Sequence, residues 1–326
     1  MIISRTPLRM SFGGGGSDLP AFYRREGGAV LSTAIDKYVY VTVNKKFDNG
    51  IRVGYSKNEE VDSVDKIEHG LVRESMKMLE IPGGIEITTI ADIPSKGTGL
   101  GSSSAFTVGL LHALSAYKGN YMSSSQLSVK SCQVEIDRCF EPIGKQDQFA
   151  AAFGGFNLIE FNPDESVVVS PVICKPETVK NLEKNILLFY TGITRSASQL
   201  LRQQQIEMVN DRLKHKTMSE MVKIAYRMRD QLHENNIHEF GEMLHESWML
   251  KKNITSGISN DLIDDIYMRA RKAGASGGKI LGAGAGGFLM VYAHPEKHSM
   301  IKLALNELRL IEIAFESLGS RIIFYQ

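Results

Sequence analysis

"SKGTGLGSSSAFTVGLL", Ser95 to Leu111, sets three glycines and three adjacent serines at the mouth of an apolar helix. Glycine costs backbone entropy on folding, so a function has to offset this junction. The first turn of a helix carries unpaired N–H groups and a positive partial charge. Glycines let that backbone approach a ligand closely, and hydroxyls add donors and metal ligands. The junction is therefore suited to a phosphate chain held by Lys96, Gly97, Thr98, Gly99, Leu100, Gly101, Ser102, Ser103 and Ser104. An ordinary serine-capped loop is the alternative. No G-x-x-x-x-G-K-[ST] loop occurs, and around Ser103 a G-x-S-x-G elbow fails at Ala105.

Outward from this junction, the chain reads as α+β. "VYVTVNKKF" (Val39–Phe47), "IRVGYS", "GIEITTIADI", "GGFNLIEFN", "SVVVSPV" and "NILLFYTG" have strand character. "DKIEHGLVRESMKMLEI" reads as a helix with Ile67, Leu71, Met76 and Leu79 inward. "SSSQLSVKSCQVEIDRC" opens on serine caps as another. From about residue 197 to 272 the chain is helical and Met-rich. A two-strand signal, a helix through "EKHSMIKLALNELRL" and a terminal strand "SRIIFYQ" follow. The boundary is expected near residue 180, dividing the chain into 1–180 and 181–326.

The 326 residues carry a net charge of +1, which opposes a dedicated nucleic-acid binder. Three scattered cysteines do not form a disulfide framework, and a reducing cytoplasm is the expected compartment. No secretory signal or membrane span is read from the sequence.

Two more glycine clusters matter. "RMSFGGGGSDLP" (Arg9–Pro20) follows a strand-like start; Asp18 can accept from sugar hydroxyls or cap the next helix, and Arg9 can reach a phosphoryl group. In "ILGAGAGGFLMVYA", Gly282, Gly284 and Gly287 satisfy G-x-G-x-x-G, but "FLMVYA" continues as a strand where a dinucleotide site needs a helix. A nicotinamide oxidoreductase is thereby disfavoured. In "EIDRCFEPIGKQDQF", Glu135 can ligate Mg²⁺. Asp147 can take a proton from a hydroxyl, with Lys145 nearby, or simply cap a helix.

Together "PLRMSFGGGGSD", "IPSKGTGLGSSSA" and "LGAGAGG" resemble the three ordered motifs of the GHMP kinases, the family of galactokinase, homoserine kinase, mevalonate kinase and phosphomevalonate kinase. The resemblance spans nearly the whole chain. It implies an N-terminal domain like ribosomal S5 domain 2, a ferredoxin-like C-terminal domain and ATP with Mg²⁺ as cofactors. By motif position, Ser103 and Glu135 match metal ligands, Asp147 the catalytic aspartate and Arg9 the basic residue near the reacting hydroxyl. Asp18 matches the sugar-binding aspartate, with Gly15, Gly16, Ser17, Arg195 and Gly284 on the substrate side. The lead-in through Lys96 is one residue longer than in many members.

Within the family, the segment from Arg5 to Val43 is most similar to kinases that phosphorylate the anomeric hydroxyl of heptose 7-phosphate. Fucokinase-like and galactokinase-like members are the alternatives. The implied partner is a small sugar phosphate, with no nucleic acid and no membrane; a homodimer stays open. Arg24, Arg25, Lys145 and Arg195 are candidates for the substrate's own phosphate. The S5-like domain also raises an RNA-binding module, which the net charge opposes.

Overall fold

The computed structural model describes residues 1–93, 97–193 and 197–326. Lys96 and Arg195 lie outside these residues. The first part of the chain runs β1 (Ile2–Gly13), α1 (Pro20–Glu26), β2 (Gly28–Lys45), β3 (Ile51–Gly54), β4 (Asn58–Val61), α2 (Gly70–Met78), β5 (Ile85–Ala91), α3 (Ser102–Tyr117), α4 (Ser124–Cys132), α5 (Gln146–Phe153), β6 (Phe156–Phe161), β7 (Val167–Pro171) and α6 (Pro176–Lys184). The second runs β8 (Ile186–Tyr190), α7 (Ala197–Asn210), α8 (Arg212–His233), α9 (Phe240–Lys252), α10 (Asp261–Lys272), β9 (Gly277–Ile280), β10 (Phe288–Tyr292), α11 (His298–Ala304), β11 (Arg309–Ile311), β12 (Phe315–Glu316) and β13 (Arg321–Tyr325).

The larger sheet has the order β13-β1-β2-β5-β3-β4. The long β2 organises it. Its first half pairs with β6 and its second half with β5, while β1 runs antiparallel along both. Helix α3 packs on β1 and β2 as the most apolar helix of this part, with Val108, Leu110, Leu111 and Leu114 fully buried. The second sheet is antiparallel in the order β11-β8-β10-β9. Counted within this part that is 4-1-3-2, the ferredoxin-like arrangement of βαββαβ, here with four helices in the first crossover.

Three expectations are corrected. The division after residue 180 breaks at the far end: β12 and β13 leave the second part and pair with β2 and β1 of the first sheet. The helix expected from Asp65 starts at Gly70. The Glu59 carboxylate accepts from the backbone N–H groups of Glu68 and His69, at 2.6 and 3.1 Å, and holds them out of helical pairing. Val72 rather than Leu71 is then fully buried, beside Ile67 and Met76. The helix expected through "NELRL" stops at Ala304, because Arg309–Ile311 pairs with β8.

Candidate active site

The three glycine clusters meet around one cavity of about 450 Å³ between the two parts of the chain. β1 delivers Arg9 and then turns through the glycine run. A Cβ on Gly14 (φ +79°) would sit on the Ala29 carbonyl, so only glycine lets the turn lie against β2. Asp18 is thereby buried, 2% exposed. One carboxylate oxygen accepts from Gly16 N and from Gln146 Nε2 (3.1 and 2.8 Å), the other from Gln146 N at 3.1 Å. Burial, then the neighbouring Asp147, raises its pKa. Asp18 does not cap α1; it ties the glycine turn to the first residue of α5.

Asp147 follows in the first turn of α5. Arg9 grips it with two donors, Nε to Oδ1 at 2.8 Å and Nη2 to Oδ2 at 2.9 Å, and its third, Nη1, reaches the Gly99 carbonyl at 2.5 Å. The arginine side chain is 4% exposed and the aspartate 24%. A bidentate guanidinium–carboxylate pair is geometrically rigid. Lys145, expected to support Asp147, instead donates to Glu165 at 2.5 Å, as does Arg24 at 2.6 Å. Arg25 is exposed, and neither it, Arg24 nor Lys145 lines the cavity.

Against this pair stands the N-terminus of α3, preceded by Gly101 in the left-handed region at φ +75°; a Cβ there would lie 3.3 Å from Arg9 Cγ and 3.4 Å from Asp147 Oδ2. Gly97, Thr98, Gly99, Gly101, Ser102, Ser103 and Ser104 all line the cavity. Leu100 does not. It is fully buried, and its carbonyl accepts from Arg9 N at 3.0 Å. The third cluster is the turn joining β9 to β10. A Cβ on Gly282 (φ +73°) would lie 2.5 Å from Gly99 Cα, so the two loops touch backbone to backbone. Gly282 and Ala283 reach the cavity; Gly284 packs on Ile258 and does not line it. Ser17 also faces away, exchanging hydrogen bonds with Ala29. Gly15 and Gly16 line the cavity.

Glu135 lies on a π-helical turn, Gln133–Arg138, that continues α4. Such turns recur at functional sites. It is fully buried, accepts from Ser103 Oγ at 3.2 Å and Gln148 Nε2 at 2.5 Å, and carries no hydrogen bond from a cation among the described residues. Burial pushes its pKa up to about 7, against hydrogen bonds from Ser104 and Gln148 that lower it. A buried carboxylate and a hydroxyl beside a helix N-terminus suited to phosphate fit Mg²⁺, which takes few protein oxygens and the rest from phosphates and water.

A second cavity of about 940 Å³ shares Ser102, Ser103 and Glu141 with the first. Tyr55, His69 and Phe106 line it, the His69 ring lying 4.7 and 5.2 Å from the other two. Sequence reading did not find this cavity, because its rings come from three separate elements. It also missed Lys251, Gln146 and Gln204 in the first cavity. Lys251 did leave a signal: it extends the buried Leu244–Ser247–Trp248 stripe of α9, where a charge is out of place.

The profile of the GHMP kinases N terminal domain matches residues 66–155, and that of the GHMP kinases C terminal region residues 228–308. A D-glycero-alpha-D-manno-heptose 7-phosphate kinase of Campylobacter jejuni is 30% identical, with 94% of each chain covered. The chain belongs to the GHMP kinase family. Among solved GHMP-type structures, a D-glycero-D-manno-heptose 1-phosphate kinase from Bacteroides thetaiotaomicron superposes with a TM-score of 0.82 at 26% identity, covering all of both chains. A putative sugar kinase from Campylobacter jejuni superposes at 0.78 with 28% identity, covering 98% of this chain and 97% of that one. This GHMP kinase is an enzyme that transfers phosphate to a sugar hydroxyl. No helix among the described residues is long and apolar enough to cross a membrane.

Proposed function

We propose that this GHMP kinase transfers the γ-phosphoryl of ATP to the anomeric hydroxyl of a heptose 7-phosphate in the cytoplasm, with Mg²⁺ as its metal. One observation carries the chemistry: the Arg9–Asp147 pair lies against the α3 N-terminus, on the cavity that Asp18 also lines. The similarity to the heptose 7-phosphate kinase along 94% of both chains supports the choice of acceptor.

In this reading, the α3 N-terminus and the Gly97–Ser104 backbone hold the ATP phosphates. Tyr55, His69 and Phe106 enclose the base. Ser103 and Glu135 hold Mg²⁺, which neutralises developing phosphate charge when bound. Phosphoryl transfer is mostly positioning and charge stabilisation. Arg9 locks the Asp147 carboxylate so that it orients the attacking hydroxyl and accepts its proton, while the guanidinium lends positive charge to the transferring group. Asp18 accepts from sugar hydroxyls.

The test is ADP release over heptose 7-phosphate, fucose, galactose, galacturonate and mevalonate. The highest kcat/KM is expected for heptose 7-phosphate. Equal turnover of an unphosphorylated sugar overturns that acceptor.

A further inference from the structure

Lys251 is 4% exposed and lines the cavity from the last turn of α9. Its Nζ donates to the Gly282 carbonyl at 2.5 Å. An ammonium has three N–H donors, so two point elsewhere. Burying a cation against a single neutral acceptor is costly; the charges acting on it are Asp18 and Asp147, which favour its protonated form, and Arg9, which opposes it.

The space beside Gly15 says what those donors meet. A Cβ built on Gly15 would stand 3.9 Å from Lys251 Nζ, from Gln146 Oε1 and from Ser11 Oγ, with nothing nearer. The three polar atoms thus converge on the open space in front of Gly15, and a ligand atom just beyond the Cβ position lies between a donor and an acceptor. The amide of Gln146 has no freedom to exchange its ends, since Nε2 donates to Asp18 at 2.8 Å. That leaves Oε1 as a buried acceptor without a partner. Next door, Gln204 is 1% exposed, and its Nε2, also without a partner, would stand 2.6 Å from a Cβ on Gly16.

We propose that Lys251 and Gln146 together hold one hydroxyl of the acceptor sugar beside Gly15, making Lys251 a specificity-determining residue. A hydroxyl accepts from Lys251 and donates to Gln146 Oε1. A phosphate matches poorly, because it only accepts and would face Gln146 Oε1 and the carboxylates of Asp18 and Asp147. The Gly282 contact adds a second consequence: the lysine joins the β9–β10 turn to the acceptor. The inference rests on the cavity being the acceptor site of a sugar kinase, and does not depend on which sugar it takes.

The test measures initial rates of the full chain with whichever panel sugar the wild type phosphorylates best, and with its monodeoxy analogues. Lys251→Met is expected to raise acceptor KM about ten- to hundredfold, the scale of a charge-assisted hydrogen bond, while ATP KM stays within about threefold. Lys251→Gln keeps an N–H donor and recovers part of the loss; it carries the test if the methionine variant does not fold. One monodeoxy sugar should lose about tenfold or more with wild type and far less with Lys251→Met. Unchanged acceptor KM in the variants, or the same deoxy penalty in variant and wild type, overturns the role of Lys251. A wild type that prefers another sugar overturns only the heptose 7-phosphate reading, and one that phosphorylates none overturns both.

Discussion

Asp147→Asn changes one atom and removes the charge, yet the structure makes it a double perturbation. Both carboxylate oxygens accept from Arg9, at 2.7–2.9 Å. An amide nitrogen in either position sets a donor against a donor and leaves a nearly buried guanidinium short of its counter-charge. Breaking one partner of a fully buried pair costs about 3–5 kcal/mol. Asp147 is 24% exposed, so water offsets part of this and a loss of about 2 kcal/mol is expected. Turnover should fall further, roughly 10²- to 10⁴-fold, the scale of losing a general base. ATP affinity should change less than turnover, because backbone N–H groups of the α3 N-terminus, not the Asp147 side chain, are the phosphate donors in this reading. Arg9 also holds Gly99 and Leu100, so a modest loss, within about fivefold, is compatible with its loosening. The assay combines single-turnover kinetics, calorimetric ATP titration and thermal melting. If kcat survives within a few-fold, Asp147 is only the structural partner of Arg9, and the proposed mechanism is refuted.

Glu135→Gln should raise the Mg²⁺ concentration for half-maximal activity by about tenfold or more. It should leave the metal-free protein as stable as wild type, because the buried charge it removes has no cation in the described structure; an unchanged Mg²⁺ titration removes Glu135 from the metal site. His112 is half-buried with Nδ1 against Ser320 Oγ, and desolvation lowers its pKa from 6.5 to about 4. Folding therefore favours the neutral ring: its contribution is complete above pH 6.5 and declines as pH falls towards 4, by at most about 3 kcal/mol. Urea titrations of His112→Gln against wild type should show a flatter dependence across that window, and parallel curves would contradict the assignment. Gly282→Ala forces a Cβ against Gly99 at a φ of +73°, and should cost about 2 kcal/mol or more while raising ATP KM. A normal melting temperature would show that the loops can part without penalty.

Much of this enzyme was legible along the chain. The glycine- and serine-rich start of α3, most strands and the three glycine clusters depend on a few neighbouring residues: glycines that permit positive φ, hydroxyls at a helix start, alternation in strands. Such preferences act within a turn or two of backbone, so sequence reports them directly. The family resemblance followed from the order of those local signals, and it named Arg9, Asp18, Ser103, Glu135 and Asp147 before their partners were visible. The partners themselves were decided by packing. Arg9 and Asp147 are 138 positions apart and meet because β1 and α5 share one cavity wall. Lys145, two residues from Asp147, turns away to Glu165 because a loop that follows β6 brings that carboxylate closer. Ser17 and Leu100 sit inside motifs but face the core, a choice of side-chain direction that spacing does not reveal. Lys251 enters the cavity from a helix in the other part of the chain, and β13 returns to pair with β1. Local conformational preference therefore wrote the loops and elements; the electrostatic pairs and the cavity they line exist only where tertiary contacts bring distant groups within hydrogen-bond reach.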